Sequence, residues 1–335
     1  MAAPAAAVWD VYELGGATID SGALREQLLD QISNVDPFDN PIVAMLPRET
    51  AKGVLDQWLT NTLPTVASLD SGRIEGNTFG ASTLASPTRV TNVTMILGAD
   101  IEVSETTRAV EKAGFKDSYS FQVADFTKAL GNKLESMLLD PTVTYAAGDA
   151  STARVLKNFN NFLDAAATSN SMAASTAVSD IIEGEFNDAL QDLWTNGGVV
   201  RTAVVGPNTL RQIQTYVGVA KTVADATDRL AAGNQRNVMA DARTLYASIE
   251  FYKSPFGMLT ILLDRWMPDD DPAGASPGNS RIYFVDRTKA SLAWLRPLAH
   301  TFLGKVGDST RGSIVGEVTL RVLNDLSHFM VKGTA

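Results

Sequence analysis

The stretch that decides the fold class is Val93–Val103, VTMILGADIEV, in which apolar residues alternate with mostly polar ones. A period of two residues predicts a β-strand with one buried face and one mostly polar face. At ~3.3 Å per residue, this strand would be about 35 Å long. It follows a polar segment, 67–86, that contains three glycines. The two together predict a long hairpin that projects from a domain body.

A long helix is predicted after this strand, over residues 120–139. Its apolar residues recur at three- and four-residue spacing, at Val123, Phe126, Leu130, Leu134, Met137 and Leu138. Asp117 or Ser118 can cap its first turn, and Pro141 ends it. At 1.5 Å per residue the helix would be about 30 Å long. Gly131 in its middle costs up to about 1 kcal/mol relative to Ala, which a close packing contact would explain.

The rest of the chain mixes helix and strand patterns. An amphipathic helix is predicted at 24–32, residues 36–65 contain four prolines and are predicted to be extended with little local core, and 141–180 is predicted to be irregular. Helices are then predicted at 182–194 and from Pro207, and strands at 201–206, 248–252, 258–264, 282–285, 291–295 and 314–322. The sequence therefore predicts an α+β protein with extended arms that neighbouring chains would cover.

Composition excludes several function classes. The chain has 335 residues, no Cys, two His, and 28 Lys and Arg against 38 Asp and Glu, for a net charge of -10. Without Cys there is no thiol nucleophile and no Cys-ligated metal site. The acidic balance argues against a protein that grips nucleic acid through a basic face. No membrane-spanning stretch and no secretory signal are predicted.

Signatures of catalysis are weak. No nucleophile elbow, phosphate loop, dinucleotide-binding fingerprint or zinc-protease motif is present. His300 and His328 lie far apart in apolar surroundings, so we expect structural or surface roles for both. Asp269–Asp271 lacks the ligand spacing of a calcium loop, and a solvated loop is the favoured interpretation. We expect no catalytic, cofactor-binding or metal site, and no enzymatic activity.

Four residues in or beside the predicted hairpin are candidates for contacts between subunits. Trp58 lies in an extended segment without a core of its own; it is either a core anchor or an intersubunit contact. Arg73, Glu75 and Arg89 flank the polar loop. They are solvated charges unless the loop lies on another subunit, where they would form ionic contacts.

An ordered set of blocks resembles the phage major head proteins of the SU-ten type. The N-terminal blocks are Ser33–Ile42, Gln57–Leu63, Glu75–Gly76 and Thr94–Thr106. The later ones are Phe186–Gln191, Val204–Pro207, Tyr252–Gly257, Asp264–Pro268, Leu295–Pro297, Gly304–Asp308 and Glu317–Leu320. They keep the family's order from about residue 24 to 330. Ser254-Pro255 departs from the family pattern, because many relatives have a polar or acidic turn residue there.

The resemblance implies the Hong Kong 97-type phage capsid fold. It divides the chain into an N-terminal arm (1–55), an extended loop (56–103), a peripheral domain with a long spine helix (104–145 and 287–335) and an axial domain (146–286). No large N-terminal scaffolding segment is expected. We also expect non-covalent locking between subunits, since no motif assigns a Lys–Asn cross-link.

The resemblance also implies a function. Hexamers and pentamers of the chain would form an icosahedral shell around double-stranded DNA, contacting the DNA non-specifically at most. Portal, scaffold and cement or decoration proteins are candidate partners, and no membrane is involved. The protein would be assembled in the host cytoplasm and reside in the virion. An encapsulin-like compartment is the main alternative, and a hydrolase of unknown type is the alternative from another class.

The C-terminal segment is the basic part of the chain. Residues 286–335 carry seven Lys and Arg against four Asp and Glu. We expect this segment to face acidic surfaces of neighbouring subunits, with ordinary charge scatter as the alternative interpretation. Lys305, Asp308 and Arg311 are its candidates for contacts between subunits.

Overall fold

The computed structural model describes residues 38–64, 75–76, 86–110, 117–164, 170–174, 181–199, 201–216, 251–268, 280–305 and 307–333. Its helices are α1 Pro41–Met45, α2 Glu105–Ala109, α3 Ser118–Leu139, α4 Phe159–Leu163, α5 Glu183–Thr195 and α6 Pro207–Thr215. Its strands are β1 Arg48–Thr50, β2 Leu55–Thr60, β3 Thr88–Val93, β4 Met95–Ser104, β5 Ser171–Ala173, β6 Thr202–Val205, β7 Phe251–Ser254, β8 Gly257–Leu263, β9 Arg281–Val285, β10 Ala290–Leu303, β11 Ser309–Val322 and β12 Phe329–Lys332. The helix predicted at 24–32 lies outside the described residues.

The predicted alternating strand forms one edge of a four-stranded sheet. The strand order is β1-β10-β11-β4, with β4 antiparallel to β11 and β1 parallel to β10. Met95, Leu97, Ile101 and Val103 are buried along β4, whereas Ile96, Gly98, Asp100 and Glu102 are exposed between them. The period-two prediction is therefore confirmed.

The single strand predicted over 93–103 is divided at Thr94. Val93 ends β3, which pairs with β2, and Met95 begins β4, which pairs with β11. The Thr94 hydroxyl donates to Oε1 of the buried Glu317 at 2.6 Å. This long-range contact stabilises the irregular residue at which the chain passes from the hairpin into the sheet.

The long helix is confirmed within two residues of its predicted start. Asp117 caps α3 by accepting hydrogen bonds from the amides of Tyr119 and Ser120, both at 3.2 Å. Its buried side chains, Leu130, Leu134, Leu138 and Leu139, belong to the larger of two cores. A Cβ at Gly131 would lie 2.8 Å from Nδ2 of Asn40 and 3.3 Å from Phe38. The expected close contact is therefore present, and the N-terminal segment makes it.

Residues 38–50, here called the arm segment, correct one prediction. The region 36–65 was expected to be extended with little local core, but Pro41–Met45 is helical and Ile42 and Leu46 are buried in the larger core. Pro41 suits the first position of a helix, where its missing N–H is not needed. Both oxygens of Glu135 accept the next two amides, from Ile42 at 2.6 Å and Val43 at 2.8 Å.

The second large sheet has six strands, in the order β5-β12-β9-β6-β8-β7. The strands and helices predicted in this part of the chain are confirmed where the structure describes them, with ends shifted by a few residues, and positions 248–250 of the predicted strand 248–252 lie outside the described residues. The stretch 141–180, predicted to be irregular, contains the short elements α4 and β5. Asn158 caps α4 through the Asn161 amide, and five residues are too few to show a helical period. Helices α5 and α6 pack on the sheet and bury, among others, Phe186, Leu190 and Ile213 in the second core.

Candidate assembly surfaces

The two-stranded hairpin β2–β3 has apolar side chains and little core around them. Its strands pair with each other from Leu55↔Val93 to Thr60↔Thr88 and with no other described strand. Leu59 is 66% exposed, and Leu63 just beyond the strand is 82% exposed. Isolated hairpins are marginally stable in water. This hairpin therefore depends on contacts at its base, and its outer residues are available to another surface.

The base of the hairpin is bound to the four-stranded sheet by charge. Arg321 of β11 donates from Nε and Nη2 to the two carboxylate oxygens of Asp56, both at 2.8 Å. It also pairs with Glu49 of the arm segment. Parallel bonds of this kind hold both groups in one orientation. Arg321 therefore joins three segments that are distant in the sequence.

Trp58 lies against its own chain. It is partly buried, packs on the larger core, and its ring centroid is 6.1 Å from that of Phe162 on α4. Its Nε1 is buried and has no hydrogen-bond partner among the described residues. The core-anchor interpretation thus has a direct structural contact behind it.

The remaining hairpin candidates are solvent-facing or not described. Arg73 lies outside the described residues. Glu75 and Arg89 are exposed, and Arg89 is opposite Leu59 in the β2–β3 pairing.

The C-terminal candidates gather at the far end of the four-stranded sheet. Lys305 pairs with Glu105 at 2.8 Å, and Arg311 pairs with Glu102 at 2.7 Å. The backbone oxygen of Asp308 accepts from the Glu105 amide at 3.2 Å. The hydrogen bond from Arg311 lowers the pKa of Glu102, and that from Lys305 lowers the pKa of Glu105. Within the described chain, these basic residues already have acidic partners.

Sequence reasoning missed the apolar residues beside this charged cluster. Phe302 is 66% exposed and Leu303 is 49% exposed at the end of β10. Phe302 stacks on Tyr119 with ring centroids 5.3 Å apart. The signal was the apolar pair itself, which follows a strand whose predicted end at 295 was eight residues too early.

Buried charge inside the body is structural. Burial would raise the pKa of Glu317, but hydrogen bonds from Thr94 and Arg296 and the charge of Arg154 leave it lowered. Arg154 and Arg296 donate to its two oxygens at 2.9 and 3.1 Å. A carboxylate with charge-assisted partners on each oxygen stays ionised. Its role here is to connect β11 to the segments around it.

The two histidines have structural partners, as predicted. His328 is fully buried, and its Nδ1 accepts from the Asp286 amide at 3.2 Å. Burial lowers its pKa to about 4. His300 Nε2 lies 2.7 Å from the Tyr119 hydroxyl.

In the part of the chain that the structure describes, no three acidic, His or Cys side chains group to hold a metal, and no helix is long and apolar enough to cross a membrane.

Comparison with known proteins gives matches along almost the whole chain. The sequence model of the SU10 major capsid protein family matches residues 12–335. The major capsid protein of Escherichia phage Phieco32 is 22% identical over 348 residues, which cover 91% of this chain and 93% of that protein.

Solved structures share the fold. The capsid asymmetric unit of cyanophage A-1(L) aligns with a TM-score of 0.67 and 12% identity, covering 92% of this chain and 97% of that one. The Microbacterium phage Oxtober96 structure aligns with a TM-score of 0.60 and 16% identity, covering 93% and 96%. The predicted α+β fold of the Hong Kong 97 type is confirmed by these alignments.

An encapsulin structure aligns with this chain as well. The holo-SrpI encapsulin complex from Synechococcus elongatus PCC 7942 aligns with a TM-score of 0.54 and 10% identity, covering 92% of this chain and 91% of that one. At this identity the alignment establishes the fold alone.

Proposed function

The chain belongs to the SU10 major capsid protein family, and we propose that many copies of it form the icosahedral head that encloses the double-stranded DNA of a tailed bacteriophage. The family match over residues 12–335 is the observation that carries this proposal. Family membership assigns the chain a structural role. Hexamers and pentamers as the building units, and assembly in the host cytoplasm, are parts of the proposal.

The domain boundaries are assigned on the same basis. We assign 1–55 to the N-terminal arm, 56–103 to the extended loop, 104–145 with 287–335 to the peripheral domain, and 146–286 to the axial domain. The β2–β3 hairpin supports the second assignment, since it pairs only with itself among the described strands. Helix α3 against the four-stranded sheet supports the third.

Contacts between subunits are proposed at the β2–β3 hairpin and at the far end of the four-stranded sheet. Exposed Leu59 and Leu63 supply apolar area that a neighbour would remove from water, at roughly 25 cal/mol per Å². Around them, Trp58, Arg73, Glu75 and Arg89 remain contact candidates. At the far end, Phe302 is the apolar candidate. Lys305, Asp308 and Arg311 are the ionic candidates. Lys305 and Arg311 would bind acidic groups of a neighbouring subunit in addition to their partners in this chain, Glu105 and Glu102.

The net charge supports a shell that encloses DNA without holding it tightly. A chain with a net charge of -10 repels a phosphate backbone unless basic residues are concentrated on one face. DNA contacts are therefore non-specific at most. Portal, scaffold and cement or decoration proteins are also proposed partners, and only the family membership supports them.

An encapsulin-like compartment is the second candidate, because the same fold aligns with the SrpI encapsulin complex. The contents of the particle distinguish a phage head from an encapsulin-like compartment. A head protects genomic DNA, whereas a compartment holds a protein cargo. The higher TM-score of the cyanophage capsid and the family match favour the head.

The test is the nucleic-acid content of purified particles from the phage that encodes this chain. Particles would be treated with nuclease, and protected DNA and co-purifying proteins would then be measured. We expect genome-length protected DNA in particles whose main protein is this chain. Shells that hold a stoichiometric enzyme and no protected DNA would support the compartment, and the absence of this chain from virions would contradict the proposed function.

A further inference from the structure

Two carboxyl groups are buried together where the arm segment, helix α3 and the end of β8 meet. Glu135 belongs to α3 and Asp264 follows β8 directly, and each is 0% exposed. The two side chains are within hydrogen-bonding reach of each other. Acidic residues are rarely buried so completely without a basic partner. The pair therefore needs another source of neutralisation.

Most of the oxygens of the pair accept from backbone amides. Glu135 accepts from Ile42 and Val43 at 2.6 and 2.8 Å, and Oδ1 of Asp264 accepts from the Trp266 amide at 2.8 Å. Oδ2 of Asp264 is buried, and no described group donates to it. An acid proton between the two carboxyls would satisfy this oxygen.

Charges around the pair add to the need for a proton. Neither Glu135 nor Asp264 has an ion pair with a described Lys or Arg. Asp39 adds further negative charge beside Asp264. The charge of Asp39 is only partly offset by Arg265, which lies 3.7 Å from it and is 62% exposed. The arm helix Pro41–Met45, packed against the pair, carries no titratable side chain.

We propose that Glu135 and Asp264 share one proton, and that this proton acts as a pH-sensitive latch holding the arm segment on helix α3 and on the turn that follows β8. When both carboxyls are ionised, their repulsion favours release of the amides of Ile42 and Val43. The latch lies within one subunit, so it does not depend on shell assembly.

The direction of the pH effect follows from linkage. Burial and the neighbouring Asp264 raise the pKa of Glu135 to about 8, and burial also raises the pKa of Asp264. A released arm exposes both groups to water, where an ordinary Glu has a pKa near 4.3. The closed state thus holds a proton that the released state loses. The closed state is therefore most stable, relative to the released state, below about pH 4.5. Its relative stability falls as pH rises to about 8 and changes no further above that.

Hydrogen exchange of the full-length unassembled subunit tests the latch. Protection of a peptide that contains Ile42 and Val43 would be measured between pH 5 and 9, with the intrinsic pH dependence of exchange divided out. Wild-type protection should fall by up to about tenfold per pH unit until about pH 8 and then level off. Asp264→Asn keeps the acceptor for Trp266 and offers an N–H donor to Glu135. It should therefore remove the slope, leaving a change of about twofold or less.

Two further variants complete the test. Glu135→Gln places the donor on the other partner but leaves only one oxygen for the amides of Ile42 and Val43, so it should lower protection at every pH and also flatten the profile. Asp125→Asn removes a carboxylate from the same helix at a partly exposed position and should leave the wild-type slope. A flat wild-type profile, or a wild-type slope in both amide variants, would overturn the proposal. A profile that EDTA shifts would also overturn it, because a metal ion and not a proton would then neutralise the pair.

Discussion

Arg321 and Asp56 are 265 positions apart in the sequence and form a bidentate ion pair, with Nε–Oδ2 and Nη2–Oδ1 distances of 2.8 Å. Their side chains are only 18% and 8% exposed. The pair therefore sets the orientation of the hairpin relative to the four-stranded sheet. Hydrogen bonds to charged groups contribute about 1.5–3 kcal/mol each when partly shielded from water.

Replacing Arg321 should destabilise the subunit. Arg321→Lys cannot donate in parallel to both oxygens of Asp56, so we expect a loss of about 1–3 kcal/mol in the free energy of urea unfolding. Arg265→Lys is the matched control, because Arg265 is 62% exposed and should change the same quantity by less than about 0.5 kcal/mol. Equal effects of the two substitutions would contradict this account of the hairpin base.

Adding a methyl group to α3 should fail to stabilise it. Ala is favoured over Gly in a helix by about 1 kcal/mol, but a Cβ at Gly131 would lie 2.8 Å from Asn40. We expect Gly131→Ala to displace the Asn40 side chain, so that the melting temperature does not rise and hydrogen exchange of the arm segment increases.

Gly184→Ala in α5 is the control for that experiment. A Cβ there would meet only Ile182, at 3.9 Å, so the variant should be as stable as the wild type or more stable. If Gly131→Ala were stabilised to the same extent, the arm segment would not be seated on α3 as described.

Acid should destabilise the fold through His328. Burial lowers the pKa of His328 to about 4, whereas in the unfolded chain its pKa is near 6.5. The contribution of the neutral His328 ring to the free energy of unfolding is thus fully present above about pH 6.5. It is lost as pH falls toward 4, and the total loss is about 3 kcal/mol. His328→Gln should flatten this limb of the stability–pH curve, measured by urea unfolding. His300→Gln, the control, should leave it steep; an unchanged limb in His328→Gln would refute the assignment.

Apolar residues of the hairpin should matter for assembly and little for folding. Leu59→Ser with Leu63→Ser alters side chains that are 66% and 82% exposed, so the melting temperature of the subunit should change by only a few degrees. Shell yield in sedimentation should fall at least several-fold, because the neighbour would lose apolar contact. Gln57→Ser in the same strand serves as the control and should assemble normally. Normal yields from the double variant would exclude these leucines from the interface.

Hydrophobic periodicity and capping residues predicted the strands and helices that are specified by neighbouring residues in the sequence. The alternation over Val93–Val103 predicted the buried face of β4, and the spacing of leucines predicted α3 with its Asp117 cap. The family resemblance predicted the fold, since ordered blocks along the chain carry topological information that periodicity lacks.

Features that depend on distant partners were not predictable in this way. The helical turn at Pro41–Met45 is bound by Glu135, which is 93 positions away from Ile42. The break at Thr94 depends on Glu317. Strand β10 continues past its predicted end because its later residues pair with β11 across register shifts on both sides of Arg296. The residues next to each of these features in the sequence do not indicate which distant residues they contact.

Cryo-electron microscopy of particles assembled from the full-length chain tests the central claim most directly. We predict closed shells of icosahedral symmetry, in which the β2–β3 hairpin of each subunit lies on a neighbour and Leu59 and Leu63 are buried between them. A chain that stays monomeric under all assembly conditions and is absent from virions, or a shell whose hairpins remain exposed to solvent, would contradict the account.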